Sequence, residues 1–296
     1  MVVVAAIPAY NEEKTIATVI LRAQKYVDRI IVCDDGSNDM TPEIAARLDA
    51  DVIRHERRLG YGAAIHSLLK RSRELDADIM VTIDADGQHD PRDIPKLIDP
   101  IRRGAADIVI GSRFLDERSK SMVPRHRAIG IGAISRLTSA SAKMKITDSQ
   151  SGFRAYNRKS LASLTATDQG MAVSTELLMK GASRGLKIEE VPVNVSYEKT
   201  DTSSQPFFTH AIEVAVGTLR FISMRRPLLF YGLPGILFLM VSVVFAAMSI
   251  QIFRAEGRLV TNLALASIAS GIAGLLCSFT AVILFALISV TREMAR

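Results

Sequence analysis

An α/β sheet domain followed by a pair of membrane-crossing helices is the architecture this chain predicts, on three observations. Short apolar runs alternate with helical segments through the first half of the 296 residues, the pattern of a sheet layered with helices. Several of those runs end in polar turn residues, which would collect at one edge of a parallel sheet. Two later stretches, 228–253 and 259–291, hold no charged residue, and each exceeds the roughly 20 residues that a helix needs to cross a bilayer.

Residues 2–7 (VVVAAI) form a continuous apolar strand, as expected of one buried on both faces. Ile16, Val19, Ile20, Ala23 and Val27 recur at three- to four-residue intervals and predict a helix over 12–26. Asn11 is its expected N-cap, with Glu12 and Glu13 in the first turn. A strand at 29–33 leads into the turn Asp34-Asp35-Gly36-Ser37-Asn38-Asp39 and a helix at 41–48. Residues 51–54 read as a short strand and 60–75 as a helix. The strand at 79–83 ends in Asp84-Ala85-Asp86, Pro91 opens another helix, and 106–110 is a further strand. Beyond Gly111-Ser112-Arg113-Phe114 the pattern loosens into a basic segment at 116–130. A helix at 172–184 and a strand at 188–197 follow, then a polar loop at 198–206. Residues 207–224 have the spacing of an amphipathic helix on a membrane surface, or of a docking helix.

Composition narrows the function. Hydrophobic residues make up 48% of the chain and mean hydropathy is +0.20, with the excess concentrated in the two uncharged runs. The net charge of +6 is not a nucleic-acid signature. Seven Arg and three Glu lie from residue 207 on, which leaves 30 basic and 28 acidic residues before it. That near-neutral part also lacks interleaved basic and aromatic residues. Arg220, Arg225 and Arg226 precede the first apolar run, and Arg292 and Arg296 follow the second. The expected topology is multi-pass in the cell membrane, with both ends and the catalytic domain on the cytoplasmic side. Cys33 and Cys277 predict no disulfide, as suits a reducing compartment. The N-terminal MVVVAAIPAYNEE lacks a basic segment and a cleavage site, so it reads as the first core strand and not as a signal peptide.

The chemistry centres on Asp84 and Asp86. Side chains at i and i+2 of an extended chain point the same way. Two carboxylates held together at the end of a buried strand repel each other unless a cation intervenes. Hard divalent cations take carboxylate oxygens and share them with substrate phosphates. Mg²⁺ or Mn²⁺ is therefore expected on Asp84 and Asp86, with Gln88 one further i+2 step along. Neither a phosphate-binding G-x-x-x-x-G-K loop nor a strand-linked G-x-G-x-x-G is present, so the nucleotide-hydrolase and dehydrogenase readings fail.

The ordered series Ile7-Pro8-Ala9-Tyr10-Asn11-Glu12-Glu13, Asp34-Asp35-Gly36-Ser37, Asp84-Ala85-Asp86-Gly87-Gln88, Gly111-Ser112-Arg113 and Ser151-Gly152-Phe153-Arg154 resembles the family 2 inverting glycosyltransferases of the GT-A fold. More narrowly it resembles the dolichyl- or polyprenyl-phosphate sugar synthases, over roughly residues 2–205. The resemblance implies a catalytic domain at 1–205, an amphipathic helix at 206–226 and membrane helices within 227–296, at about 228–253 and 260–290. It implies that Pro8, Ala9, Tyr10 and Glu12 contact the nucleotide and that Asp35 reads the base. Asp84, Asp86 and Gln88 would form the metal and diphosphate site. Arg113 would reach the phosphates, and Arg127, with Arg125 beside it, would hold the acceptor's lipid phosphate. Asp148 and Glu176 would lie on the acceptor side, and Lys199 would stand in the loop that closes on the phosphates. Two departures bear on the acceptor: Ile131 replaces a common serine, and Lys199 replaces an arginine whose planar fork it cannot match.

Blander roles stand beside these. Glu12 suits a first helical turn, Arg113 a strand-end salt bridge, Asp148 an N-cap or turn, and Glu176 an i, i+4 pair with Lys180. His89 and His126 read as neighbours of the site or as solvated groups. The implied reaction is transfer of one hexose or N-acetylhexosamine from a UDP- or GDP-linked donor to dolichyl or polyprenyl phosphate. A homo-oligomer is compatible with the sequence. The alternatives are a non-lipid acceptor, for which Asp148 would be the base, and a non-catalytic membrane scaffold. A processive polysaccharide synthase is disfavoured, because the chain contains no Trp and so lacks the Q-x-x-R-W motif.

Overall fold

A seven-stranded sheet in the order β3-β2-β1-β4-β6-β5-β7 organises the N-terminal unit in the computed structural model. The strands are β1 (Val3–Ala9), β2 (Arg29–Asp34), β3 (Asp51–Arg54), β4 (Ile79–Thr82), β5 (Ile108–Ser112), β6 (Arg154–Asn157) and β7 (Ile188–Pro192). The structure describes residues 1–116, 121, 123, 125–142, 144–195, 223 and 227–294. The backbone divides into two units, Met1–Thr218 and Leu219–Arg296.

The strands expected from apolar runs pair in parallel: β1 with β2 and β4, β2 with β3, and β5 with β7. The sheet is nevertheless mixed. β6 runs antiparallel to both neighbours, with Val81 opposite Ala155 and Ile110 opposite Arg154. Four residues, two of them polar, gave no apolar run by which to expect that strand.

Alternate residues of the central strands feed two cores. On one face Val3, Ala5, Ile7, Val81 and Val109 pack with α1 (Ile16–Ala23) and α4 (Ile94–Arg102). On the other Val4, Ala6, Met80 and Ile108 pack with α3 (Tyr61–Glu74) and α7 (Val173–Ser183). Burial on both faces is what makes these strands continuously apolar. The remaining helices of this unit are α2 (Thr41–Arg47), α5 (Arg125–Ala142) and α6 (Arg158–Ser163).

Two local expectations are corrected. The first helix begins after Thr15, not Asn11, and Asn11 adopts φ +55°. Asn is among the few side chains that tolerate that region. Its Oδ1 accepts from the Asn38 amide at 2.9 Å, while its own amide donates to Ser37 Oγ at 2.8 Å. Asn11 thus ties the β1 turn to the β2 turn. Within the segment expected to be loose and basic, residues 125–130 are helical: α5 runs from Arg125 and is fastened where Ser135 Oγ accepts from the Ser149 amide at 3.0 Å.

In the C-terminal unit a π-helical turn at Leu228–Gly232 leads into α8 (Leu233–Glu256), and α9 (Thr261–Met294) returns. Both helices are long and apolar enough to cross a membrane. They are joined by a reciprocal bond in which Ser242 Oγ donates to Ser267 O at 2.8 Å and Ser267 Oγ to Ser242 O at 2.9 Å. Apart from Ser223, the expected amphipathic helix at 206–226 lies outside the described residues, as does Lys199.

Candidate active site

The carboxyl ends of β1, β2, β4 and β5 deliver Tyr10, Asp35, Asp84 and Arg113 to one edge of the sheet. Because β6 is reversed, its beginning lies at that same edge. Thr82, the last residue of β4, pairs with Arg154, and its hydroxyl donates to Gly152 O at 2.7 Å. The reversal thereby brings Ser151-Gly152-Phe153-Arg154 against the paired aspartates. A Cβ at position 152 would fall 2.4 Å from Asp84 Oδ2, so only glycine permits this approach.

Negative charge is crowded around the paired aspartates. Burial, followed by the Asp86 charge, pushes the Asp84 carboxyl up to about 7. Glu12 is likewise pushed up to about 7, by burial first and then by Asp86 and Asp84, against a hydrogen bond from Thr15. Asp86 Oδ1 accepts from the Gln88 amide at 2.9 Å. Among the described residues no group of three or more His, Cys, Asp or Glu is gathered as a metal cage. Two mutually repelling carboxylates outside such a cage suit a hard divalent cation that takes its other ligands from phosphate oxygens and water.

Around the base end, Pro8 and Ala9 are buried in β1, and the Ala9 carbonyl accepts from the Asp35 amide at 2.9 Å. Tyr10 lies just past the strand with the Arg58 guanidinium 4.2 Å over its ring, a cation–π stack. Asp35, expected at the base, is held by the loop before α3. It is 4% exposed, and its carboxylate accepts from Leu59 N at 2.9 Å and Gly60 N at 2.8 Å and contacts His55 Nδ1 at 2.7 Å. Asp35 shapes the loop before α3.

Where the resemblance expects the acceptor, Asp148 and Glu176 are already engaged. Asp148 is fully buried, and Arg113 grips it through Nε at 2.6 Å and Nη2 at 2.8 Å. Burial works against the Asp148 charge, but the adjoining guanidinium prevails and holds the carboxyl below its usual range. Asp148 is therefore a partner for Arg113 and poorly suited to accept a proton. Glu190 on β7 fixes this segment, accepting from Thr147 N at 2.9 Å and Asp148 N at 3.0 Å. Glu176 pairs with Lys180 at 2.5 Å, as its i, i+4 spacing allowed, and accepts from the Thr167 and Asp168 amides. It thus clasps the 167–170 loop. Arg125 and Arg127 stand in the first turn of α5, with side chains outside the described residues.

Three functional candidates escaped the sequence reading or received no role in it. Arg154 is buried and donates to the carbonyls of Ser149, Ser151 and Ser174 at 2.6–2.8 Å. Its charge helps to hold Asp84 ionised. Tyr61 Oη donates to Asp84 Oδ1 at 3.2 Å. His89 is buried against the Phe153 ring at 5.1 Å, and Nδ1 has no hydrogen-bond partner. Burial and the nearby Arg113 push it down to about 3, so it is a neutral imidazole. The Gly60-Tyr61-Gly62 spacing was the only available hint of a special turn at Tyr61.

Comparison with known proteins bears on the family and the fold. The pattern that defines glycosyl transferase family 2 matches residues 4–165. A UDP-N-acetylglucosamine–dolichyl-phosphate N-acetylglucosaminyltransferase of Methanococcus voltae is 36% identical over 211 residues, 64% of this chain and 84% of that protein. A dolichyl-phosphate hexose transferase of Haloferax volcanii is 34% identical over 200 residues, 67% of this chain and 84% of that protein. Among solved structures, glucosyl-3-phosphoglycerate synthase from Mycobacterium tuberculosis in complex with Mn²⁺, uridine diphosphate and glucosyl-3-phosphoglycerate aligns with a TM-score of 0.58 at 25% identity. That alignment covers 74% of this chain and 79% of that one. A family pattern spanning more than half the chain, on a sheet edge built of that family's motifs, makes this protein a glycosyltransferase of family 2.

Proposed function

We propose that this glycosyltransferase transfers a single sugar, with inversion, from a nucleotide sugar to dolichyl or polyprenyl phosphate. The observation that carries this reading is the state of the acceptor-side acids. Asp148 is consumed by Arg113, and Glu176 by Lys180 and the 167–170 loop. A hydroxyl acceptor needs a base to remove its proton. A phosphate monoester, with a second pKa of about 6, is already largely ionised at neutral pH and needs none. The names of the dolichyl-phosphate relatives support the same acceptor.

In the proposed reaction a phosphate oxygen of the lipid attacks the anomeric carbon. The bond from that carbon to the nucleoside diphosphate breaks, the electron pair leaves with the diphosphate, and the configuration inverts. Mg²⁺ or Mn²⁺ held by Asp84, Asp86 and Gln88 supplies charge stabilisation of the leaving diphosphate when bound. Tyr10, with Arg58 on its ring, offers a flat face to the base. Arg113, fixed in orientation by Asp148, places positive charge toward the phosphates, Arg127 takes the lipid phosphate, and Lys199 supplies charge to the donor phosphates. The two apolar helices keep the enzyme where a lipid acceptor resides. The Arg residues flanking them support a cytoplasmic catalytic unit.

The test incubates membranes carrying the protein with polyprenyl phosphate, Mg²⁺ and, separately, UDP-N-acetylglucosamine, UDP-glucose or GDP-mannose. The expected result is a lipid-linked monosaccharide from one donor, abolished by EDTA. Donor hydrolysis alone, or transfer only to a soluble phosphate such as phosphoglycerate, would overturn the lipid acceptor.

A further inference from the structure

Asp84 is held on both sides. Its Oδ1 accepts from Tyr61 Oη at 3.2 Å, and its Oδ2 lies so near Gly152 that a Cβ there would come within 2.4 Å. The phenol comes from α3, on the opposite face of the sheet from α1, and two independent loops set its position. From one side Asp35 accepts from the amides of Leu59 and Gly60, with Gly60 at φ +107°. From the other the Gly62 amide donates to Gln169 O at 2.8 Å. A Cβ on Gly62 would lie 2.0 Å from Asp168 O, so that loop reaches the helix start only because residue 62 has no side chain. The 167–170 loop is in turn clasped by Glu176. Two glycines and two buried acids, none of which touches Asp84 in these contacts, converge on the placement of one hydroxyl.

We propose that Tyr61 is a positioning residue for the diphosphate-side cation: it fixes the Asp84 carboxylate so that its remaining lone pairs face the same space as Asp86. The proposal deepens the donor-side reading above and rests on it. A carboxylate that must ligate a cation loses orientational freedom on binding, and a hydrogen bond to one oxygen removes that freedom beforehand. The Tyr61 hydroxyl ties down Oδ1, while Oδ2 occupies the space that a side chain at position 152 would fill. The Asp35 and Glu176 carboxylates, which the resemblance placed at the base and the acceptor, then share a task. Each braces one side of the turn that carries Tyr61.

Tyr61→Phe keeps the ring and removes the bond. The full-length protein in detergent is titrated with Mn²⁺ in the presence of UDP, following loss of the free Mn²⁺ resonance, and UDP binding is measured separately without metal. Half-saturation by Mn²⁺ is expected to rise roughly 10- to 100-fold, as for other residues that orient a metal's carboxylate. UDP binding without metal and the melting temperature of the ligand-free protein stay at wild-type values. The turnover rate recovers at saturating Mn²⁺, while the metal requirement does not. Unchanged Mn²⁺ half-saturation would overturn the proposal. So would a parallel loss of metal-free UDP binding or a variant that fails to fold, since either makes Tyr61 a packing residue. A wild type that binds no Mn²⁺ with UDP or, in a parallel titration, with GDP would overturn both this proposal and the donor-side reading. A wild type that makes no lipid-linked sugar, while Tyr61→Phe still weakens Mn²⁺ binding, would refute the acceptor and leave this proposal standing.

Discussion

The two sides of the sheet edge handle buried charge in opposite ways. On the donor side Glu12, Asp84 and Asp86 lie within electrostatic reach of one another, and two of them are pushed up to about 7. On the expected acceptor side three described acids have a cation or a set of amides: Asp148 with Arg113, Glu176 with Lys180, Glu190 with the Thr147 and Asp148 amides. On one side burial and mutual repulsion work against the charged carboxylates. The other is complete and has no carboxylate of these three to spare for proton transfer. Under the proposed reaction the repelling carboxylates lie where the leaving group would depart, and the acceptor would bring a negative charge of its own.

The comparison breaks most visibly at Asp86. Asp86→Ala should lower sugar transfer by roughly 10³-fold, the scale of losing a group that stabilises developing charge, with the circular dichroism spectrum unchanged. On the acceptor side the first effect should be on stability. Arg113→Met leaves a buried unpaired carboxylate and should cost about 3–5 kcal/mol in denaturant unfolding, of which Arg113→Met with Asp148→Leu regains a large part. Acid sharpens the same point. Asp148 has a native pKa below its unfolded value of about 3.9, so its stabilisation is present above that value and is lost as pH falls through the native one. Melting temperatures between pH 5 and 2 should therefore fall more steeply for the wild type than for Asp148→Asn. The smallest effect belongs to the membrane hairpin. Ser242→Ala should weaken the α8–α9 pair by about 0.6 kcal/mol in a detergent unfolding titration.

Much of this contrast was legible in the chain and some of it was not. Asp84 and Asp86 announce themselves because i, i+2 spacing at a strand end is a local pattern, and Glu176 with Lys180 because i, i+4 is another. The Arg113–Asp148 pair spans 35 residues, and no local period encodes it. β6 is four residues long and half polar, so nothing in Arg154–Asn157 signals a strand, still less a reversed one. Yet that reversal is what sets Gly152 and Arg154 against Asp84. α5 hid for a different reason: glycine and serine dilute its apolar spacing, and its serines are used to fasten the 146–149 segment. Asp35 drew its expected role from the resemblance, and its further contacts with the backbone of the next loop, 24 and 25 residues on, follow no local period.

The most direct test of the central claim compares two acceptors that differ only in the charge they bring. Membranes carrying the protein are given Mg²⁺, the competent nucleotide sugar and either polyprenyl phosphate or the polyprenol of the same length. Transfer should occur to the phosphate alone, at a rate that is level above pH 7, because the attacking oxygen is already ionised there with a second pKa of about 6. Comparable transfer to the alcohol, rising with pH as a base is unmasked, would contradict it.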